Sequence, residues 1–283
     1  MNSVGIIGAG KIGGSLLVRM AQSGGYELAV SDVHRERMEE LAVSVSESSV
    51  NGDSVNGGAE GGAKGGVLFT SHSNREVAER SDLLIVAVKP WDVPVILREV
   101  YSVVGDRSTV VTSVAAGVTL EDMARRLPEG TPTVRVMPNV CAAIGLGSAV
   151  VTGNSEARSY LPEVMDIFRV VGDVIELPER LFDAATALHG SGPAYVALFA
   201  DALVQAGVRE GIPRETAKRL VSQTLQGTAV LLKDRNPHQV RDEVMTPGGT
   251  TAAAFAAMER SGFVAAIYDG IEAATEQARR LSK

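Results

Sequence analysis

The chain opens with Val4-Gly5-Ile6-Ile7-Gly8-Ala9-Gly10-Lys11-Ile12-Gly13, the stretch around which the rest of the sequence is organised. Its apolar start predicts a buried parallel strand, its spaced glycines predict a tight turn, and the apolar spacing that follows predicts a helix. In such a unit the glycines permit the turn, let a pyrophosphate approach the main chain and let the helix pack on the strand. The free N–H groups of the helix N-terminus favour the anion. The stretch therefore indicates dinucleotide binding, with a glycine-rich turn of another α/β fold as the alternative.

The composition is that of a globular protein with an acidic balance. The 283 residues are 45% hydrophobic and 22% charged, with a net charge of -7 at pH 7, and this length favours two domains. A nucleic-acid surface would require a basic stripe, and the sequence shows none. No signal pattern precedes the first strand, and no apolar run reaches the ~20 residues that cross a bilayer. The single cysteine, Cys141, excludes an internal disulfide and fits a reducing compartment. We therefore expect a cytoplasmic protein without a metal site, whose partner is a small molecule rather than nucleic acid or membrane.

A second strand is predicted over residues 26–31 and is followed by Asp32. An acid roughly 20 residues beyond the glycine loop can accept hydrogen bonds from the adenine ribose hydroxyls of NAD, and it repels the 2′-phosphate of NADP. His34, Arg35 and Arg37 come next and could neutralise such a phosphate. These residues leave the choice of cofactor open, and a simple turn at the strand end is the alternative role for Asp32.

Residues 44–66 change in character to Ser, Gly, Asn and Val without periodicity. Such a segment buries too little apolar surface to offset its ordering entropy, and loops of this length are uncommon in compact domains. We therefore predict a flexible surface insertion at residues 44–66, with a functional lid as the alternative.

Strands and helices alternate through the rest of the first half. Strands are predicted over residues 67–70, 83–88, 109–114, 133–137 and 148–152, with helices between most of them. This order predicts a parallel sheet with right-handed crossovers, and hence an α/β fold with a Rossmann-type dinucleotide-binding domain over residues 1–154. The pair Lys89-Pro90 ends one strand and exposes the lysine at the carboxyl edge of the sheet, where ligands of such sheets lie.

From about residue 155 the sequence predicts long helices rich in Ala and Leu. They are expected over residues 155–171, 179–188, 192–210, 213–233, 239–244, 250–261 and 263–282. Apolar residues cover much of the circumference of several of these helices, so a second subunit would supply the missing cover. The sequence thus predicts an all-helical domain over residues 155–283 for substrate binding and dimerisation.

Two loops of the helical half carry chemistry beyond packing. One is His189-Gly190-Ser191-Gly192-Pro193-Ala194-Tyr195 and the other is Thr246-Pro247-Gly248-Gly249-Thr250-Thr251. Free N–H groups at Gly249, Thr250 and Thr251 would open a helix among threonine hydroxyls and bind a small anion such as a carboxylate. A capped helix with a glycine turn is the alternative.

These motifs, taken in chain order, resemble the pyrroline-5-carboxylate reductase family over nearly the whole chain. They are the glycine loop, Ala87-Val88-Lys89-Pro90, Ala115-Ala116-Gly117-Val118, Arg135-Val136-Met137-Pro138-Asn139, Gly190-Ser191-Gly192-Pro193-Ala194-Tyr195 and Pro247-Gly248-Gly249-Thr250-Thr251. The resemblance implies reduction of the cyclic imine 1-pyrroline-5-carboxylate to L-proline with NADPH or NADH, the last step of proline biosynthesis. It also implies a homodimer of interlocked helical domains, often assembled further into a decamer.

The resemblance also implies the site residues. Its dinucleotide contacts fall on Ile7, Gly8, Ala9, Gly10, Lys11, Ile12, Asn74, Ala87, Val88, Lys89, Pro90, Ala115 and Ala116, to which the glycine-loop pattern adds Gly13 and Asp32. Its substrate contacts fall on Thr246, Thr250 and Thr251 and, more loosely, on Asp234, and the predicted anion site adds Gly249. The Thr251 hydroxyl, expected beside the imine nitrogen, is the catalytic candidate, because an imine accepts hydride better when its nitrogen is protonated.

Three positions depart from the family pattern. The family usually has serine at the position of His189, proline at that of Cys141 and no acid at that of Asp32. His189 is a candidate for contact with substrate or a neighbouring subunit, and Cys141 is expected to be a small packing residue. The acid at Asp32 favours NADH or mixed use of both cofactors.

Two other functions stay open on the sequence alone. One is a related reductase of another imine or of a carbonyl acid, for which Lys218 or Lys233 would be the catalytic lysine. The other is a non-catalytic dinucleotide sensor. The Thr250-Thr251 pair argues against a sensor, because a sensor needs no site for a substrate carboxylate.

Overall fold

The computed structural model describes residues 1–50 and 68–282. In this part of the chain the strands are β1 (Ser3–Ile7), β2 (Glu27–Ser31), β3 (Leu68–Ser71), β4 (Leu83–Val86), β5 (Val110–Ser113), β6 (Thr133–Pro138), β7 (Gly147–Gly153) and β8 (Gly172–Glu176). The α-helices are α1 (Lys11–Ser23), α2 (Arg35–Val50), α3 (Asn74–Glu79), α4 (Val93–Gly105), α5 (Leu120–Ala124), α6 (Leu161–Phe168), α7 (Phe182–Ala185), α8 (Gly192–Arg209), α9 (Arg214–Leu231), α10 (Pro237–Val244), α11 (Thr250–Arg260) and α12 (Phe263–Leu281).

The strands form one sheet in the order β3-β2-β1-β4-β5-β6-β7-β8. Strands β1 to β6 run parallel, β7 pairs antiparallel with β6, and β8 pairs parallel with β7. The order reverses between β1 and β4, and the carboxyl ends of strands at such a point open a crevice for a ligand. The predicted α/β fold with a Rossmann-type sheet is confirmed, and the run at 148–152 extends that sheet as predicted.

Both faces of the central strands are covered. On one face Val4 and Ile6 of β1 are fully buried beside Leu16 of α1, and on the other face Ile7 packs in a cluster with Leu97 of α4. Successive residues of a strand point to opposite faces, so a strand buried on both sides consists almost entirely of apolar residues. This double cover explains why the strand-forming runs in the sequence are continuous rather than alternating.

Asp82 ties the beginning of β1 to the beginning of β4. Its Oδ2 accepts hydrogen bonds from the main-chain N–H groups of Asn2 (3.0 Å) and Ser3 (3.2 Å). Partial burial alone would raise the pKa of Asp82, but hydrogen bonds from Asn2 and Ser3 outweigh burial and hold the pKa below its ordinary value. The carboxylate therefore stays charged where it anchors the first strand of the sheet.

The structure differs from the helix predicted over residues 155–171. Helix α6 begins only at Leu161, because Asn154 holds the preceding residues in turns: its Oδ1 accepts hydrogen bonds from the N–H groups of Thr133 and Ala157, both at 3.0 Å. Such side-chain bonds offer the main chain an alternative to a helix. The sequence did not predict strand β8, which follows α6. Val174 is the one buried residue of this strand. A single inward side chain leaves no alternation to detect.

The helix predicted over residues 179–188 is divided in the structure. A 3₁₀ turn at Glu179–Leu181 leads into α7, and a π-helical turn at Thr186–Gly190 follows it. The helices predicted from residue 192 onward are confirmed, with ends that differ by at most two residues.

The predicted surface insertion is partly helical. Residues 44–50 continue α2, whose Val45 is 4% exposed and belongs to the same buried apolar cluster as Leu16 of α1. Burial of this side chain accounts for the added turns of the helix. The remainder of the predicted insertion, residues 51–66, lies outside the described residues.

The chain divides into two compact units. One contains the residues up to Gly190 together with the end of the chain from Thr275, and the other is Ser191–Ala274. The second unit is built from α8 to α11 and most of α12. The predicted functional boundary at residue 154 stays a prediction.

Within residues 1–50 and 68–282, no helix combines the length and the apolar character that a membrane span requires.

Candidate active site

The glycine loop lies between β1 and α1 at the carboxyl edge of the sheet. The helix packs so closely on the strand that a Cβ on Gly13 would lie 1.9 Å from the carbonyl oxygen of Gly8, which explains the third glycine. Gly10 is the N-cap of α1 and offers no side chain to cap it. The N–H groups of Gly10, Lys11 and Ile12 have no hydrogen-bond partner among the described residues, so they are available to an anion.

Asp32 connects the end of β2 to this loop. Its Oδ2 accepts a hydrogen bond from the Ala9 N–H (2.7 Å), and its Oδ1 accepts one from the His34 N–H (2.8 Å). Both carboxylate oxygens therefore have main-chain donors within the protein. The side chain holds the glycine loop against the adjacent strand, a role that its position in the sequence does not reveal.

A cleft with a volume of about 1010 Å³ lies at this edge of the sheet, large enough for an extended ligand. It is lined by the glycine loop with α1, by the segment that joins β2 to α2, and by the segment after β4. The predicted dinucleotide residues in its lining are Gly8, Ala9, Gly10, Lys11, Ile12, Asp32, Ala87, Val88 and Lys89. They come together because β1, β2 and β4 are neighbours in the sheet and end at the same edge.

The other predicted dinucleotide residues lie outside that lining. They are Ile7, Gly13, Asn74, Pro90, Ala115 and Ala116. Asn74 uses both ends of its amide, since Oδ1 accepts a hydrogen bond from the Ser31 hydroxyl (2.7 Å) and Nδ2 donates one to Glu99 (2.6 Å). Ala115 is 6% exposed and belongs to the core. Contact of these residues with a dinucleotide stays a prediction.

The residues of the cleft fit a dinucleotide. At Gly10 no atom lies within 4 Å of the position that a Cβ would occupy, so packing within the protein does not require glycine there. A ligand that approaches the main chain does require it. Lys11, Arg37 and Lys89 line the same cleft with exposed side chains, and none has an acidic partner among the described residues. Free N–H groups and cations of this kind bind a phosphate-bearing ligand.

The loop at residues 246–251 opens α11 in the other compact unit. Gly249 is the N-cap of α11, and its N–H donates a hydrogen bond to the Thr246 carbonyl oxygen (3.0 Å). The prediction of a free N–H at Gly249 is therefore wrong, because this hydrogen bond closes the loop. A Cβ on Gly249 would lie 2.3 Å from the Thr246 hydroxyl oxygen, so glycine is required by the close approach of that side chain.

The free N–H groups of this loop belong to the two residues after Gly249. The N–H groups of Thr250 and Thr251 belong to the first turn of α11 and have no partner among the described residues. Thr250 is exposed and Thr251 is half-buried. Asp234 lies in an exposed turn after α9 and forms no ion pair with a described residue. The first turn of α11 can thus receive an anion, and contact of these residues with a substrate stays a prediction.

His189 has a defined environment rather than a solvated one. Its Nδ1 lies 2.5 Å from the carbonyl oxygen of Ala185, and its Nε2 lies 2.9 Å from that of Met137 at the end of β6. The carbonyl of His189 itself accepts a hydrogen bond from Nδ2 of Asn139 (3.1 Å). The residue therefore fastens the turn that precedes α8 to the carboxyl end of a central strand.

Sequence reasoning missed part of the cleft. Its lining also includes Val18 and Arg19 of α1, Val114 after β5, and Ala143. Because residues seven and eight apart lie on one face of a helix, Lys11 could have pointed to Val18 and Arg19. No local signal points to Ala143, which the fold brings to the cleft from a 3₁₀ helix at Val140–Ile144.

The strand order, the glycine loop and the cleft define a dinucleotide-binding protein of the Rossmann type. Residues 3–117 match the family model described as NADP oxidoreductase, coenzyme F420-dependent. Residues 179–281 match the model described as pyrroline-5-carboxylate reductase dimerisation.

Relatives extend this match to the whole chain. Pyrroline-5-carboxylate reductase of a Synechocystis strain is 35% identical over 99% of this chain and 98% of its own length. That of Corynebacterium melassecola is 33% identical over 100% of both chains. The chain belongs to the pyrroline-5-carboxylate reductase family, and the resemblance inferred from the motifs is confirmed.

Solved structures agree in fold. A pyrroline-5-carboxylate reductase from Coxiella burnetii has a TM-score of 0.86 at 26% identity, covering 99% of this chain and 98% of that one. The pyrroline carboxylate reductase of Plasmodium falciparum, solved with NADP bound, has a TM-score of 0.80 at 27% identity, covering 100% of this chain and 98% of that one.

Proposed function

We propose that this chain reduces 1-pyrroline-5-carboxylate to L-proline with NADPH or NADH, as the last step of proline biosynthesis. The observation that carries the proposal is family membership over the whole chain, joined to the free N–H groups of Thr250 and Thr251. A non-catalytic sensor of dinucleotides would need the cofactor cleft but not the two free N–H groups at the start of α11. The one cysteine of the chain and a reduced cofactor both fit the cytoplasm, where we place the enzyme.

The cofactor site consists of the cleft residues. The N–H groups of Gly10, Lys11 and Ile12 hold the pyrophosphate, and the helix dipole of α1 strengthens that attraction. Asp32 keeps the loop in place through Ala9. When bound, the nicotinamide supplies the hydride; the remaining steps belong to residues of the chain.

The substrate site is the first turn of α11. Its two free N–H groups bind the substrate carboxylate, and the Thr246 hydroxyl adds a polar group beside the loop. The Thr251 hydroxyl lies beside the imine nitrogen and supports its protonated form, which raises the reactivity of the imine carbon toward hydride. Asp234 stabilises the positive charge on that nitrogen. Fixing the carboxylate also holds the imine carbon in a reactive position.

We also propose that two copies of the chain form a homodimer through Ser191–Ala274. In this unit the buried hydrophobic residues are Val204 and Ala217 alone. Large apolar side chains of the unit are exposed, including Leu198 (71%) and Tyr268 (71%). A unit that buries so little needs a partner surface to complete its core. The match to a dimerisation model over residues 179–281 supports the same conclusion.

The test is steady-state oxidation of NADPH and NADH with 1-pyrroline-5-carboxylate, on the wild type and on Thr251→Ala. We expect wild-type turnover and a fall in kcat of ~10-fold or more in the variant, because the hydroxyl that accepts a hydrogen bond from the protonated nitrogen is lost. Thr216→Ala is the matched control, since Thr216 is an exposed threonine in the first turn of another helix, α9.

Absence of wild-type turnover with both cofactors would overturn the proposed reaction. Equal losses in Thr251→Ala and Thr216→Ala would remove Thr251 from the catalytic role and leave the reaction itself in place.

A further inference from the structure

We propose that Arg37 makes this enzyme selective for NADPH, and that Asp32 braces the glycine loop instead of binding the adenine ribose. This inference takes one element from the proposed function, namely that the cofactor is a nicotinamide dinucleotide. It reverses the preference for NADH that an acid after the second strand indicates in the sequence.

The carboxylate of Asp32 is already used within the protein. One oxygen accepts the Ala9 N–H at 2.7 Å and the other accepts the His34 N–H at 2.8 Å. These two donors fix the orientation of the carboxylate and partly balance its charge. An acid that selects NAD instead presents its oxygens to the two ribose hydroxyls. Here the same oxygens face the main chain on either side.

Arg37 is the cation that remains available at this end of the cleft. It lines the cleft, its side chain is exposed, and it forms no ion pair or side-chain hydrogen bond with a described residue. Arg35, two residues earlier, is different: its Nε pairs with Glu39 at 2.8 Å and it is absent from the lining. The two arginines of one helical turn thus have different roles.

The surroundings of Arg37 suit the adenosine end of a phosphorylated dinucleotide. Asp32, Val33 and His34 line the same part of the cleft, and Val33 is 89% exposed there, which offers an apolar surface to a base. Arg37 lies in the first turn of α2, whose N-terminus also favours an anion. A guanidinium in this position binds a phosphate through two parallel N–H groups. The 2′-phosphate is the group of NADPH that NADH lacks.

The experiment measures equilibrium binding of NADPH, NADH and 2′,5′-ADP to the full chain without the imine substrate. We expect the wild type to bind NADPH at least ~10-fold tighter than NADH, as one added charge-assisted contact predicts. Arg37→Ala should bind NADPH and 2′,5′-ADP ~10-fold or more weakly and NADH within about twofold of the wild type. Arg35→Ala, the matched control, should leave all three affinities within about twofold.

Salt gives a second readout. The affinity of the wild type for NADPH should fall more steeply with ionic strength than that of Arg37→Ala, because the variant lacks the charge pair that salt screens. Equal weakening of NADPH and NADH in Arg37→Ala, or no weakening of either, would overturn the role of Arg37. Tighter binding of NADH than of NADPH by the wild type would do the same.

The variant Asp32→Asn tests the proposal that Asp32 braces the glycine loop. The amide keeps one acceptor oxygen, loses the other and removes the charge that repels a 2′-phosphate, so we expect NADH and its adenine 2′-deoxy form to be weakened by the same factor. Selective loss of NADH would identify Asp32 as a ribose ligand and overturn the bracing role. Because all these measurements omit the imine, a chain that selects NADPH but fails to reduce pyrroline-5-carboxylate would contradict the proposed reaction and leave this inference standing.

Discussion

At the scale of single residues, His189 links parts of the chain that are 52 residues apart. Each ring nitrogen faces a main-chain carbonyl oxygen, at 2.5 Å and 2.9 Å. A carbonyl only accepts hydrogen bonds, whereas a neutral imidazole donates only one. The ring therefore donates a hydrogen bond to at least one of these carbonyls and lies against both. The serine that the family usually has at this position is too short to make both contacts.

We predict that His189→Ala lowers the denaturation midpoint of the protein. Loss of the ring removes its hydrogen bonding to the Ala185 and Met137 carbonyl oxygens, which should cost about 1 kcal/mol. The measurement is urea denaturation followed by circular dichroism. His238→Ala is the control, because His238 is exposed on α10 and its ring makes no hydrogen bond with a described residue. Equal midpoints for the two variants would contradict a bridging role.

At the scale of secondary-structure elements, the strands of the sheet could be predicted because each is a short apolar run ended by Gly, Pro or a polar residue. Strand β8 could not, since one buried residue makes no pattern. The start of α6 depends on Asn154, whose side chain bonds to Thr133 at the beginning of a strand 21 residues earlier. A window of neighbouring residues does not contain that information.

Strand β5 contains a buried hydroxyl that a mutation can test. Thr112 is fully buried, and its Oγ1 finds no hydrogen-bond partner among the described residues. Thr112→Val removes that unsatisfied group with little change of shape, so we expect a stability gain of about 1 kcal/mol. The measurement is the urea midpoint.

Thr109 provides the matched control for this prediction. It is equally buried just before the same strand, but its hydroxyl donates to the Ser81 carbonyl oxygen at 3.0 Å. Thr109→Val should therefore destabilise the protein by about 1 kcal/mol. Two shifts of the same sign would contradict the assignment of the Thr112 hydroxyl as unsatisfied.

At the scale of the whole molecule, the unit Ser191–Ala274 is the part that we expect to mediate assembly. Ile267 on α12 is 48% exposed in a unit with almost no core of its own. We expect the wild type to have the mass of a dimer, or of a multiple such as a decamer, in light scattering. A charge at this position should dissociate it, because an apolar contact surface does not tolerate an unpaired charge.

The variant is Ile267→Glu, and its control is Val95→Glu. Val95 lies on α4 of the other compact unit with a similar exposure of 46%. The control should keep the wild-type mass. A monomeric wild type, or dissociation by both variants alike, would contradict dimerisation through Ser191–Ala274.

The sequence by itself determined the parallel sheet, the helical second half, the glycine loop and the family. All of these depend on local periodicity, on glycine spacing and on the order of short motifs, which are properties of neighbouring residues. The candidate site residues were predicted in the same way, from motif positions.

The tertiary structure alone decided how those residues are used. It pairs Asp32 with the Ala9 N–H, 23 positions away, and the proposed bracing role rests on this hydrogen bond. It also closes the Gly249 N–H onto Thr246 and places the His189 ring on Met137. These hydrogen bonds depend on where separate elements meet and on which way a side chain points. Residue type and spacing do not specify either, because both are set by the packing of the complete sheet and its helices.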